Sequence, residues 1–178
     1  PLFVGIFYLP HDWLSPVNQN LVATLIFTGA AVTDWLDGYL ARVLNQASAF
    51  GAFLDPVADK LMVSAALIVL VYLELLDAPI ALIIIGREIT VSALRGWMAQ
   101  IGQSKSVAVS FLGKIKTSSQ MVAIPLLLYH EKIGEYFDSQ RIGTWLIYIA
   151  AVLTLWSMFY YLKAALPQAL RSEGDNGR

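Results

Sequence analysis

The sequence contains no cysteine, which excludes disulfides and thiolate metal sites and suits a bacterial inner-membrane protein. Charge is scarce as well. Asp, Glu, Lys and Arg make up 14% of the 178 residues, against 57% hydrophobic, whereas a soluble domain carries about 25% charged residues. Basic excess is missing: the net charge of -1 argues against a nucleic-acid partner, which would need a basic face. No segment sustains the period-two alternation of a half-buried strand, and no internal repeat is visible. With a mean hydropathy of +0.62, what remains is an all-α, polytopic membrane protein of one domain, spanning 1–166, with a polar tail at 167–178.

What the sequence does have is long apolar runs interrupted by charge. "PLFVGIFYLP" at the start is too short to cross a bilayer, which takes about 20 residues, and lacks the basic region and cleavage site of a signal peptide. Pro1 to Leu9 therefore read as the end of a first transmembrane helix that begins before this sequence. Five further spans follow, near Leu21–Leu44, Phe50–Leu76, Ala78–Ile101, Val107–Tyr129 and Ile142–Leu162. Six transmembrane helices are expected. Arg42, Lys105, Lys163, Arg171 and Arg178 outnumber Lys132 and Arg141 on the opposite side, which places the first group in the cytoplasm. The tail from Arg171 to Arg178 is expected to be disordered. His11 and His130 read as loop residues on the far side, and Trp97 and Met98 as packing.

The polar ends of four spans fall on the cytoplasmic side and point to one wet cavity there. Snorkelling explains Lys105 and Lys163 well. Short aspartates cannot snorkel far, and "TDWLDGYLARVLNQASAFGAFLDPVADK" carries Asp34, Asp37, Asp55 and Asp59. Intramembrane carboxylates are costly and mark functional sites. Asp34 and Asp37 share a helix face with Gly38, Ala41 and Arg42; Asp55 and Asp59 are four apart, with Gly51 one turn earlier. Eight residues, 43–50, separate the two groups, which predicts an antiparallel hairpin with facing carboxylate pairs. Pro56 could instead start the second helix, making Asp55 a cap.

Four facing carboxylates repel unless cations lie among them, and only Arg42 and Lys60 are at hand. An all-Asp set suits Mg²⁺ or Mn²⁺, with room for two ions about 3.5–4 Å apart that would neutralise a diphosphate. Gly38 and Ala41 leave space for a flat or phosphorylated ligand, and Arg42 can fork two hydrogen bonds to phosphate.

Asp34-x-x-Asp37-Gly38-x-x-Ala41-Arg42, eight residues, then Gly51-x-x-x-Asp55-x-x-x-Asp59, resembles the full signature of the CDP-alcohol phosphotransferases. "REITVSALR", "SVAVSFLGKIKT" and "AAVLTLWSM" resemble the members that accept glycerol 3-phosphate. The resemblance implies a six-helix membrane enzyme, usually a homodimer. It would transfer the phosphatidyl group of CDP-diacylglycerol to sn-glycerol 3-phosphate, releasing CMP, in phosphatidylglycerol and cardiolipin biosynthesis. It further implies that Asp34, Asp37, Asp55 and Asp59 are metal ligands and that Asp59 is also the base. Gly38, Ala41, Arg42 and Gly51 would line the CDP-diacylglycerol site. Similar proteins carry an amphipathic segment ahead of the first span, with Asn, Thr and Arg positions that this sequence lacks.

An acceptor that bears a phosphate needs cations of its own. Arg87 and Arg95 lie within about 80° of one helix face. Lys114 shares a polar stripe with Ser106, Ser110, Thr117 and Ser118, whereas Lys116 points the other way and Glu88 points away from Arg87. Arg87, Arg95 and Lys114 are thus the expected clamp, against the alternative of lipid-headgroup contacts. Three rivals remain. Another acceptor, serine or inositol phosphate, would use the same aspartates. A membrane prenyltransferase has differently spaced Asp motifs and lacks Gly-x-x-Ala-Arg. A cation transporter would need acidic partners on the outer half of the spans.

Overall fold

The structure, a computed structural model, describes residues 2–10, 12–44, 49–100, 111–133 and 137–175. It is an all-α bundle: α1 (Leu2–Ile6), α2 (Pro16–Val43), α3 (Ala49–Tyr72), α4 (Ala78–Gln100), α5 (Phe111–Tyr129) and α6 (Ser139–Asp175). A two-residue antiparallel ladder, β1 (Lys132–Ile133) with β2 (Phe137–Asp138), closes the α5–α6 connection. Among the described residues, two helices are long and apolar enough to cross a membrane, Pro16–Leu40 and Ser139–Lys163.

Local chemistry sets the helix ends. Ser15 caps α2, its hydroxyl accepting from the Asn18 amide, and Pro16 takes the first-turn position, where its missing amide costs nothing. At the end of α3, Glu74 adopts the left-handed region (φ 58°). The Leu75 amide then reaches the Leu70 carbonyl and the Glu74 amide reaches that of Val71. That pairing is a Schellman motif, which satisfies carbonyls a helix end would otherwise leave open. At α6, the Asp138 carboxylate accepts from the Arg141 amide at 3.0 Å.

The core runs through the middle of the bundle, where Phe27, Leu67, Leu70, Ile84, Ile124, Leu127 and Ile147 are fully buried. Phe3 meets Phe27 edge to face at 5.8 Å, the arrangement favoured by ring quadrupoles. A separate cluster of Val91, Met98 and Tyr161, with Leu94 and Trp97 against it, joins α4 to α6. The outer surface is apolar too: Leu82, Trp145, Val152, Trp156 and Phe159 are exposed. So continuous an apolar exterior is a liability in water and natural in lipid.

Two expectations change. The polar tail is not irregular: α6 continues to Asp175, because extending an existing helix is far easier than nucleating one. His130 is not a plain surface residue, since its Nε2 lies 3.3 Å from Asn20 Nδ2 and its Nδ1 3.2 Å from the Leu128 carbonyl. Packing against the expected hairpin also differs. Among the described residues α2 packs chiefly on α5 and α1, and α3 on α4. Pro1, His11, Lys105, Ser106, Ser110, Tyr136 and Arg178 lie outside the described residues.

The closest helix approach is α5 against α6. A Cβ at Gly143 would stand 2.8 Å from Leu127 Cγ and 3.1 Å from the Leu127 amide nitrogen. Gly143→Ala is therefore expected to destabilise the bundle by about 1–3 kcal/mol. Gly29→Ala, where a Cβ meets open space, should be neutral or stabilising by up to about 1 kcal/mol through helix propensity. Thermal unfolding of both variants in detergent checks the contrast.

Candidate active site

α3 begins at Ala49 and runs through Pro56 without a break in its assignment, at the cost of one backbone hydrogen bond. Asp55 is thus inside the helix, not a cap. Gly51, Asp55 and Asp59 occupy successive turns of one helix, and Asp34, Asp37 and Gly38 share the C-terminal part of α2. The side chains of Ala41, Arg42, Asp55 and Lys114 lie outside the described residues.

Asp34 and Asp59 line one groove, together with residues of α5. That groove, of about 490 Å³, is lined by Thr28, Ala31, Val32, Asp34 and Trp35 from α2, Asp59 from α3, and Thr117, Met121 and Pro125 from α5. Its walls are mostly apolar. Asp59 also borders a small cavity of about 40 Å³, shared with Lys60, Val63, Glu88, Thr117, Gln120 and Met121. Asp59 thus lines both an apolar groove and a smaller cavity that charged side chains also line. Its Oδ1 is buried with no hydrogen-bond partner among the described residues. A buried carboxylate oxygen left in that state is costly, and a bound cation is one way to relieve it. Asp37 is exposed on α2, and the space over Gly38 is open. Among the described residues no three acidic or imidazole groups gather closely enough to hold a metal ion. The available donors, Asp34 and Asp59, are hard oxygen ligands suited to Mg²⁺ or Mn²⁺.

The cations are organised around Glu88. Its Oε1 accepts from Arg87 Nη1 at 3.3 Å and pairs with Lys116 Nζ. Arg87 Nη2 donates to Ser157 Oγ at 2.9 Å, and Arg95 Nη2 to Tyr161 Oη at 2.8 Å. Glu88 does not point away from Arg87, as helical spacing alone suggested; both side chains bend toward the α5–α6 side, where Lys116 waits. Lys116 is 1% exposed and within electrostatic range of Asp59, so it joins the polar centre that was expected to hold Lys114.

Sequence reasoning missed Lys116, Glu88, Ser157 and Tyr161. Glu88 carried a readable signal, being an acid in an apolar helix. Tyr161, inside the aromatic run "FYYL", carried none.

The family model for CDP-alcohol phosphatidyltransferases matches residues 1–156. The chain belongs to that family. Curated relatives named CDP-diacylglycerol–glycerol-3-phosphate 3-phosphatidyltransferase are similar over 93% of the chain and 87% of their own length. They include proteins of Pectobacterium atrosepticum, 52% identical over 168 residues, and of Escherichia coli K12 and Shigella flexneri serotype 5b, each 51% identical over 167 residues. The segment matched to the family covers both aspartate-bearing helices and stops just before Ser157.

Glu88 compensates two buried cations at once, so its loss should be felt in stability. Removing one member of a buried ion pair costs about 3–5 kcal/mol because the partners keep their charge. Glu88→Ala is expected to lower the unfolding midpoint strongly, and adding Lys116→Met should recover part of the loss. A double-mutant cycle in detergent measures the coupling; additive effects would break the link between Glu88 and Lys116.

Proposed function

We propose that the protein transfers the phosphatidyl group of CDP-diacylglycerol to sn-glycerol 3-phosphate, giving phosphatidylglycerophosphate and CMP. The observation that carries this reading is 49–52% identity, over 93% of the chain, to enzymes named for that reaction. The protein is a phospholipid-synthesising transferase of the membrane. Six transmembrane helices, an active site facing the cytoplasm, residence in the bacterial inner membrane and a homodimeric state complete the proposal.

The chemistry is a displacement at phosphorus. The acceptor hydroxyl oxygen forms a bond to the phosphorus that bears the diacylglycerol, the bond from that phosphorus to the CMP oxygen breaks, and CMP leaves with the electron pair. Asp59 is the base that takes the hydroxyl proton, a role for which a positioned carboxylate contributes about 10²–10⁴-fold. Its contact with both the apolar groove and the cavity that Lys60 and Glu88 also line suits a reaction whose donor is a lipid and whose acceptor is a water-soluble phosphate. The groove walls from α2 and α5 fit the glyceride part of the donor, with Gly38, Ala41, Arg42 and Gly51 left for its nucleotide.

Divalent cations, Mg²⁺ or Mn²⁺, would be held by Asp34, Asp37, Asp55 and Asp59. When bound they supply charge neutralisation for the diphosphate and for departing CMP. Arg87 and Arg95 receive the acceptor phosphate, with Lys114 as the third member expected from sequence and Lys116 as the lysine whose placement near Asp59 is described. Clamping by cations suits a phosphomonoester dianion and gives serine little to bind.

The first test is CMP release in mixed micelles with Mg²⁺, comparing glycerol 3-phosphate, inositol phosphate, serine and no acceptor. Release only with glycerol 3-phosphate is expected, with loss on chelation and recovery on adding Mg²⁺. Asp59→Asn should lower kcat by at least about a hundredfold. Arg95→Ala should raise KM for glycerol 3-phosphate by about tenfold or more while leaving KM for CDP-diacylglycerol near its original value. Release with another acceptor would discard the clamp and keep the aspartate chemistry.

A further inference from the structure

Arg87 and Arg95, about two turns apart on α4, converge on one ring. The guanidinium carbon of Arg87 lies 5.7 Å from the Tyr161 ring centroid, and that of Arg95 lies 5.1 Å from it. Both are inside the range of a cation–π contact, which gains strength where water is excluded. Tyr161 is 1% exposed, and its hydroxyl also accepts the Arg95 hydrogen bond. One turn earlier on α6, the Ser157 hydroxyl accepts from Arg87 and donates to the Thr154 carbonyl at 3.0 Å.

The two guanidiniums are held but not saturated. Arg87 Nε and Arg95 Nε are buried with no hydrogen-bond partner among the described residues. A buried N–H left open on each of two cations is costly, and a bound anion would satisfy it. Resting on the acceptor reading above, we infer that Tyr161 is a positioning residue: its ring and hydroxyl set the spacing and direction of Arg87 and Arg95, and thereby select an acceptor carrying a phosphomonoester dianion. Tyr161 touches neither reacting atom. Its effect passes through the arginines, and it lies outside the segment matched to the family, residues 1–156.

The test separates hydroxyl from ring. Tyr161→Phe keeps the ring and removes the Arg95 acceptor; Tyr161→Leu removes both. Steady-state CMP release with varied glycerol 3-phosphate and, separately, varied CDP-diacylglycerol gives both Michaelis constants. KM for glycerol 3-phosphate should rise about three- to tenfold in Tyr161→Phe and further in Tyr161→Leu. KM for CDP-diacylglycerol should stay within about twofold. Inorganic phosphate, inhibiting in competition with glycerol 3-phosphate, should weaken as an inhibitor in the same order. Unchanged glycerol 3-phosphate KM in Tyr161→Phe, or equal shifts for both substrates, would overturn the assignment. If Tyr161→Leu does not accumulate as folded protein, the Phe variant decides alone. Wild-type protein that ignores glycerol 3-phosphate would instead remove the acceptor reading on which the inference rests.

Discussion

The polar centre depends on one carboxylate. Glu88 stands in an apolar helix and accepts from cations of its own helix and of α5, so parting α4 from α5 would leave Glu88 and Lys116 without their ion pair. Arg87 carries the link onward to α6 through Ser157. The three helices around the acceptor end are thereby registered against one another by charge, while the middle of the bundle is registered by apolar packing. Asp59 borders the same small cavity as Glu88, so the proposed base and the carboxylate that pairs with Arg87 and Lys116 share a wall.

Much of the fold was legible because the apolar runs are long and their interruptions few. The expected limits of the third and fourth helices, Phe50–Leu76 and Ala78–Ile101, fall close to Ala49–Tyr72 and Ala78–Gln100. The expected end of α6 fell short, since charge at the far end of an apolar run marks where lipid stops and says nothing about where the backbone hydrogen bonds stop. Pro56 was ambiguous for a related reason: a proline can open a helix or sit inside one, and only the surrounding packing decides.

The candidate site divides along another line. The half proposed to bind metal and nucleotide is written in a spaced motif on two helices, where residue type and interval carry the chemistry together. Asp34 and Asp59 do share a groove, yet α5 helps to line it, which no pattern within the motif could reveal. The acceptor half depends on side-chain direction across helices. Helical spacing turned Glu88 away from Arg87 and Lys116 away from the cavity, whereas long flexible side chains reached around their helix to the nearest opposite charge. Tyr161 shows the same limit: nothing in an aromatic run distinguishes a ring that faces lipid from one that faces two guanidiniums.

The length of α6 has a consequence for where the clamp sits. Its apolar stretch ends at Lys163, only two residues past Tyr161, and the helix then continues to Asp175, about 18 Å further at 1.5 Å per residue. In the proposed orientation, Tyr161 and the arginines beside it lie at headgroup depth. A cytoplasmic leaflet rich in anionic lipid holds a surface potential near -30 mV, which depletes a dianion at that plane about tenfold relative to bulk solution. The proposed acceptor is then scarcest at the depth where the proposed clamp would bind it. Anionic lipids, the class that this reaction supplies, deepen that scarcity as they accumulate, and the arginine pair works against the electrostatics of its own product's membrane.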